Sequence, residues 1–148
     1  MRPRSKTVAT WLALLGGSFG LHRFYLYGWR DLPGWLFPWP TLLGLAGVQR
    51  MRAFGQDDHV AWVLIPVLGL SLSVAMLTAI VYGLTPDERW CERHAAGMPV
   101  RRTGWLPVLG VITALLVGAT VFMGTVAFSG QRFFEWQLEK TRTAQGSR

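Results

Sequence analysis

Three groups of side chains in this 148-residue chain have the types that chemistry uses. Asp87, Cys91 and His94 stand at i, i+4 and i+7, one face of a helix, and carboxylate, thiolate and imidazole are ligands for zinc or another soft divalent ion. Three donors on one helix rarely reach one ion together, and no second ligand pair stands elsewhere, so no metal and no cofactor is expected. His22 and Arg23, followed by Tyr25 and Tyr27, form a second group. Such a polar interface cluster can hold a lipid headgroup, an anion or a partner helix, or it can simply anchor a helix end by snorkelling. Asp57, Asp58 and His59 lie between a glycine turn and an apolar run, where an aspartate caps a helix and does not serve as half of a catalytic pair. No serine, histidine and acid stand in a nucleophile motif, and the chain is expected not to be an enzyme. A single cysteine excludes an internal disulfide framework.

The elements that carry these residues are apolar and long. Hydrophobic residues make up 51% of the chain and charged ones 16%, the mean hydropathy is +0.28, and the apolar residues fall in blocks. Val60 to Leu84 and Trp105 to Gly130 contain no charge, and at 1.5 Å per residue each reaches about 37 to 39 Å, enough to cross a hydrocarbon layer of about 30 Å. Thr7 to Leu21 is too short to cross alone, so a first span must take His22 and Arg23 with it. Arg2, Arg4 and Lys6 precede it as in a secretory signal, but no small-residue cleavage site follows, and the span is read as uncleaved. Pro33, Pro38 and Pro40 interrupt the next apolar stretch, which predicts a bent entry over 31–40 and a short helix from Thr41 to Phe54. Thr85, Pro86, Asp87 and Glu88 have the order of a capping box, starting a surface helix over 86–96. The tail, 131–148, begins amphipathic and is expected to lie at the interface and then fray. The fold class is therefore an all-α integral membrane protein with three to four transmembrane helices, one short and Pro-interrupted, plus a short surface helix.

Small residues mark where these helices could meet. Gly16 and Gly20 make a G-x-x-x-G step, which with Ala13 and Gly17 forms a smooth stripe; Ser71, Ala75, Ala79 and Gly83 repeat every fourth residue on one face of the second long span. Packing inside the monomer is the expected use, with a homo-oligomer face as the alternative. Neither long span carries an intramembrane acid or base of the kind that ion pathways need.

The chain is basic, with net charge +7 and pI near 10.8. Its positive residues flank apolar runs, which favours contact with anionic lipid and not with nucleic acid. With four crossings the Lys/Arg distribution is nine to six in favour of both termini in the cytoplasm; with three crossings it is seven to eight.

The N-terminal block, Lys6, Gly16, Gly17, Phe19, Gly20, His22-Arg23-Phe24-Tyr25-Leu26 and Gly28, resembles the signature of the TM-two domain family of two-helix membrane modules. The likeness continues through Gly34-Trp35-Leu36, Thr41, Gly44 and Gly47. Val48-Gln49-Arg50-Met51 stands where that family usually has a tryptophan and an acid, and His22 stands where animal members have the acid of a D-R-F triplet, so receptor-like signalling is not implied. The family is defined by architecture and implies no reaction. The resemblance divides the chain into a TM-two-like domain at 6–54, an added pair of transmembrane helices at 55–130 and the basic tail at 131–148. The expected role is that of a small polytopic protein of a bacterial inner membrane, structural or accessory in type, with membrane lipid and possible membrane-protein partners. The alternative is a small channel or transporter with a polar site at His22 and Arg23.

Overall fold

In a computed structural model of the chain, residues 4–94, 99–100 and 102–146 are described, and among them every regular element is helical. Helix α1 spans Lys6–Gly16 and is followed by a 3-10 turn, Gly17–Phe19; α2 is Leu21–Tyr27, α3 Leu32–Leu36 and α4 Pro38–Phe54. Helix α5 is His59–Leu84, α6 Asp87–His94 and α7 Leu106–Gly146. Two of these, α5 and α7, are long and apolar enough to cross a membrane. Asp58 starts α5 by accepting from the Val60 amide, and Pro107 sits in the first turn of α7, where a missing amide hydrogen leaves no bond unmade.

Helix α5 is the axis of the bundle. Helix α4 runs antiparallel along its first half: a Cβ on Gly44 would lie 2.3 Å from the Leu68 Cβ, and one on Gly47 would lie 2.5 Å from the Leu64 Cβ. Helix α1 covers its second half, with Gly17 against Ala75, Ala13 in one buried cluster with Ala79 and Ala114, and Gly83 facing Thr10. Thus α1 and α4 lie end to end along α5 as a single broken pass. Helix α7 forms the third pass, antiparallel to α5, meeting it at Gly83 with Val111, Met76 with Gly118 and Gly69 with Thr125. Between α1 and α4, residues 20–37 form a hairpin that climbs back along α1 and returns. Its Leu26 is buried with Ala9 and Trp90, and the Tyr25 hydroxyl accepts from the Ser5 amide at 3.0 Å.

Four expectations change. The first apolar segment does not run straight through to Gly28: it leaves the helix at Gly17, and Gly20 takes a left-handed conformation, φ 74°, that reverses the chain. Gly16 and Gly20 therefore do not share a helical face; Gly16 lies under Leu21, Gly20 lies against the Gly34 carbonyl, and Gly17 makes the close approach to Ala75. Because the first segment folds back, the described N-terminal end lies beside α6, whereas the far end of α7 lies beside His59, so the two ends occupy opposite ends of the bundle. The 31–40 stretch is helical on both sides of Phe37, since Pro38 and Pro40 fall in the first turn of α4, which needs no amide donors. The tail does not fray over 131–145: α7 continues to Gly146, making it about 60 Å long at 1.5 Å per residue. The expected stop of the surface helix near Ala96 and Gly97 lies outside the described residues, as do Arg2, Arg101 and Arg148 of the charge distribution.

Glycine positions along α5 and α7 separate packing from propensity. Gly44→Ala should lower the unfolding temperature in detergent, since its Cβ would stand 2.6 Å from the Leu68 backbone nitrogen and overpacking costs about 1 to 3 kcal/mol. Gly124→Ala, where a Cβ meets nothing within 4 Å, should raise it through the helix preference of alanine, about 1 kcal/mol. Shifts of the same sign would show that α4 does not touch α5 as described.

Candidate functional site

The break between α1 and α2 creates a polar point halfway along the bundle. Leaving the helix frees the Ser18 carbonyl, and the buried Thr41 hydroxyl donates to it at 2.8 Å. Thr41 Oγ1 lies 3.3 Å from Ser71 Oγ, which itself donates to the Leu68 carbonyl at 2.8 Å. One residue each from the 3-10 turn, α4 and α5 is thereby joined, and Ser71 of the small-residue ladder is a hydrogen-bonding member of the junction. The other three ladder residues, Ala75, Ala79 and Gly83, are buried against α1 and α7 within the chain.

The four residues of the expected polar interface cluster occupy four different environments. His22, 1% exposed, lies edge-on between the rings of Phe37 and Tyr82, with centroids at 5.4 and 5.7 Å, and its Nδ1 is buried with no hydrogen-bond partner. Arg23 Nε and Nη2 donate to Asp31 Oδ2 and Oδ1 at 2.6 and 3.3 Å, and the guanidinium stands over the Tyr27 ring at 5.2 Å. Tyr25 turns toward the N-terminal strand of chain at Ser5. Tyr27 is exposed, 6.3 Å from the His94 ring. Arg23 is thus already used inside the protein, and His22 has no opening to a path through the bundle.

A second concentration of polar contacts lies on α6. Asp87 Oδ1 accepts from Lys6 Nζ at 2.9 Å and from the Thr103 hydroxyl, while Oδ2 accepts from the Thr103 amide at 2.9 Å. Trp90 Nε1 donates to the Arg4 carbonyl at 2.9 Å, and its ring stacks on His94 at 4.4 Å. Burial pushes the Asp87 carboxyl up, but the Thr103 hydrogen bonds and the Lys6 ammonium outweigh it and hold the group at about 2. Asp87, Cys91 and His94 do not converge, and among the described residues no three His, Cys, Asp or Glu side chains gather as a metal site would require. Asp87 instead clasps three segments: the start of α1, α6 and the strand of chain leading into α7.

Asp31 and Asp87 were not singled out as organising residues by the sequence pattern. A usable signal existed: the chain has only eight acids against fifteen Lys and Arg, and each acid next to an apolar run is a ready partner for one of the excess cations. No protein family, curated protein or solved structure matches this chain.

The Asp87 clasp has a defined pH dependence. Its folded value lies below the ordinary carboxylate value of 3.8, so its stabilisation is complete above that pH and is lost as pH falls from there towards about 2. Asp87→Asn should therefore unfold at lower temperature than the parent at pH 7, by the equivalent of about 1 to 3 kcal/mol for lost charged hydrogen bonds, with the difference shrinking below pH 4. Thermal unfolding of both proteins in detergent across that range checks it; a difference constant with pH would count against the clasp.

Proposed function

We propose that this chain is a small polytopic membrane protein of structural or accessory type, without catalytic activity, that binds lipid and partner helices. The carrying observation is the outward surface of α5 and α7: Val63, Leu77, Val81, Leu116 and Met123 are all exposed on the two helices long enough to cross a bilayer. A contiguous apolar surface of that kind is stable against acyl chains or other transmembrane helices and is costly against water. The resemblance to TM-two modules fits such an architectural role. In this proposal the crossings are three: α1 with α4 as a broken pass, α5, and α7. The hairpin of α2 and α3 is re-entrant, entering and leaving at the α6 end.

Orientation follows from the cations. Arg4, Lys6, Arg23, Arg30, Arg89, Arg93 and Arg102 lie towards the α6 end, and Arg50, Arg52, Arg132, Lys140 and Arg142 towards the other. The excess assigns the α6 end, with the N-terminal end, to the cytoplasm of a bacterial inner membrane, and the α7 terminus to the opposite side.

Single-cysteine variants on a Cys91→Ser background test this. Gln56→Cys and Thr143→Cys should react with a membrane-impermeant maleimide in intact cells, whereas Arg30→Cys and Arg89→Cys should react only after permeabilisation. Labelling of position 30 together with position 56 would mean that α2 crosses and the hairpin is not re-entrant. Recovery of the protein in the soluble fraction would reject the membrane assignment altogether.

A further inference from the structure

The two chain reversals that flank α4 are built alike. Arg23, Tyr27, Gly28, Asp31 and Trp35 have counterparts 27 positions on in Arg50, Phe54, Gly55, Asp58 and Trp62, and Gly20 corresponds to Gly47. The contacts correspond as well. Arg50 Nε and Nη2 donate to Asp58 Oδ2 and Oδ1 at 2.8 and 3.2 Å, as Arg23 does to Asp31. Each guanidinium stands over the aromatic ring four residues later, at 5.2 and 5.1 Å. Each glycine ends its helix at positive φ, 85° and 89°, with its amide donating back at 3.0 Å to the Phe24 or Met51 carbonyl. Each aspartate caps the following helix, accepting from the Gly34 amide at 3.0 Å or the Val60 amide at 3.3 Å. Each tryptophan reaches back, Trp35 Nε1 donating to the Trp29 carbonyl at 3.0 Å and Trp62 Nε1 to the Gln56 carbonyl at 2.6 Å. Gly20 lies against Phe37 as Gly47 lies against Leu64, again 27 positions apart.

Arginine, aspartate and tryptophan therefore close the turn from within, and the dipeptide after each glycine takes no side-chain part in it. Those dipeptides differ: Trp29-Arg30 in the first unit, Gln56-Asp57 in the second. Trp29 is 73% exposed and Arg30 is exposed, without an ion pair to any described residue. The Trp29 ring is held in place by stacking on Phe24 at 5.3 Å, beside Trp35 at 6.2 Å, and Leu32 and Leu36 are exposed on the same hairpin. A fixed indole next to a free guanidinium at the end of apolar helices suits the level where acyl chains give way to phosphates.

We propose that Trp29 and Arg30, carried on the first of two equivalent helix-reversing units, form a contact for the phosphate of an anionic phospholipid. The contact rests on the membrane assignment made above. It gives the first unit a task that the second, with an acid at the same place, does not share.

The exchange of the two tips is the test, on the full chain in detergent with phosphatidylglycerol or phosphatidylcholine titrated and bound lipid counted by native mass spectrometry. Trp29→Gln/Arg30→Asp should leave the unfolding temperature unchanged and weaken phosphatidylglycerol retention by about fivefold or more, the scale of one cation at an anionic surface, without changing phosphatidylcholine retention. Gln56→Trp/Asp57→Arg should likewise fold and should gain phosphatidylglycerol. Equal phosphatidylglycerol retention by parent and first exchange overturns the tip contact. Loss of folding in either exchange overturns the equivalence of the units. A parent chain that retains neither lipid overturns the membrane assignment itself.

Discussion

A helix that stops in the middle of an apolar layer must find partners for the backbone groups it releases, and this requirement organises the molecule. Unpaired peptide groups in such surroundings cost several kcal/mol each, so the gap after α1 cannot stay open. Three bonds close it: the Gly17 carbonyl accepts from Gly20, the Gly20 carbonyl from Arg23 and Phe24, and the Ser18 carbonyl from Thr41. The last of these sets the depth at which α4 begins. With α4 placed, its glycines set how near it lies to α5, and the broken pass becomes as long as the unbroken helix it covers.

Acids then fix the ends. Five of the eight stand in ion pairs, and Asp31, Asp58 and Asp87 each close a different chain reversal or junction. Asp87 reaches across the whole sequence, since Lys6 lies 81 residues before it. Trp90 does the same through the Arg4 carbonyl, so the N-terminal end of α1 is held by both polar groups of one short helix. The small-residue stripe of α5 supplies proximity, and the acids supply register.

What the sequence revealed divides along the range of the interactions. Helices α5 and α7 were readable because an uninterrupted apolar run carries its own length, and Asp58 was readable as a cap because capping is local. The stripe at Ser71, Ala75, Ala79 and Gly83 was readable from period alone. Thr85 was not: its hydroxyl bonds back to the Val81 carbonyl and closes α5, although its place before a proline and acids fits the start of α6 equally well. The reversal at Gly20 was hidden for a different reason. A glycine at that spacing serves an uninterrupted helix or a left-handed bend, and the choice is made by Gly34 and Phe37, which follow it by more than ten residues. The four tyrosine, histidine and arginine neighbours at 22 to 27 were visible as a group, but their separation into a buried ring, an ion pair, a tether and a free ring depends on the fold-back of α2.

Helix α7 has a mechanical consequence. Residues 131–146 add about 24 Å of helix beyond the part that packs on α5, attached without a bend or a glycine hinge after Gly130. Such a rod converts angle into displacement: a change of about 10° in the tilt of the packed portion would carry the outer tip sideways by about 4 Å, on the order of a helix radius with side chains. Small adjustments between α5 and α7, where Pro66 already interrupts the hydrogen-bond ladder, are therefore reported at a distance from where they arise.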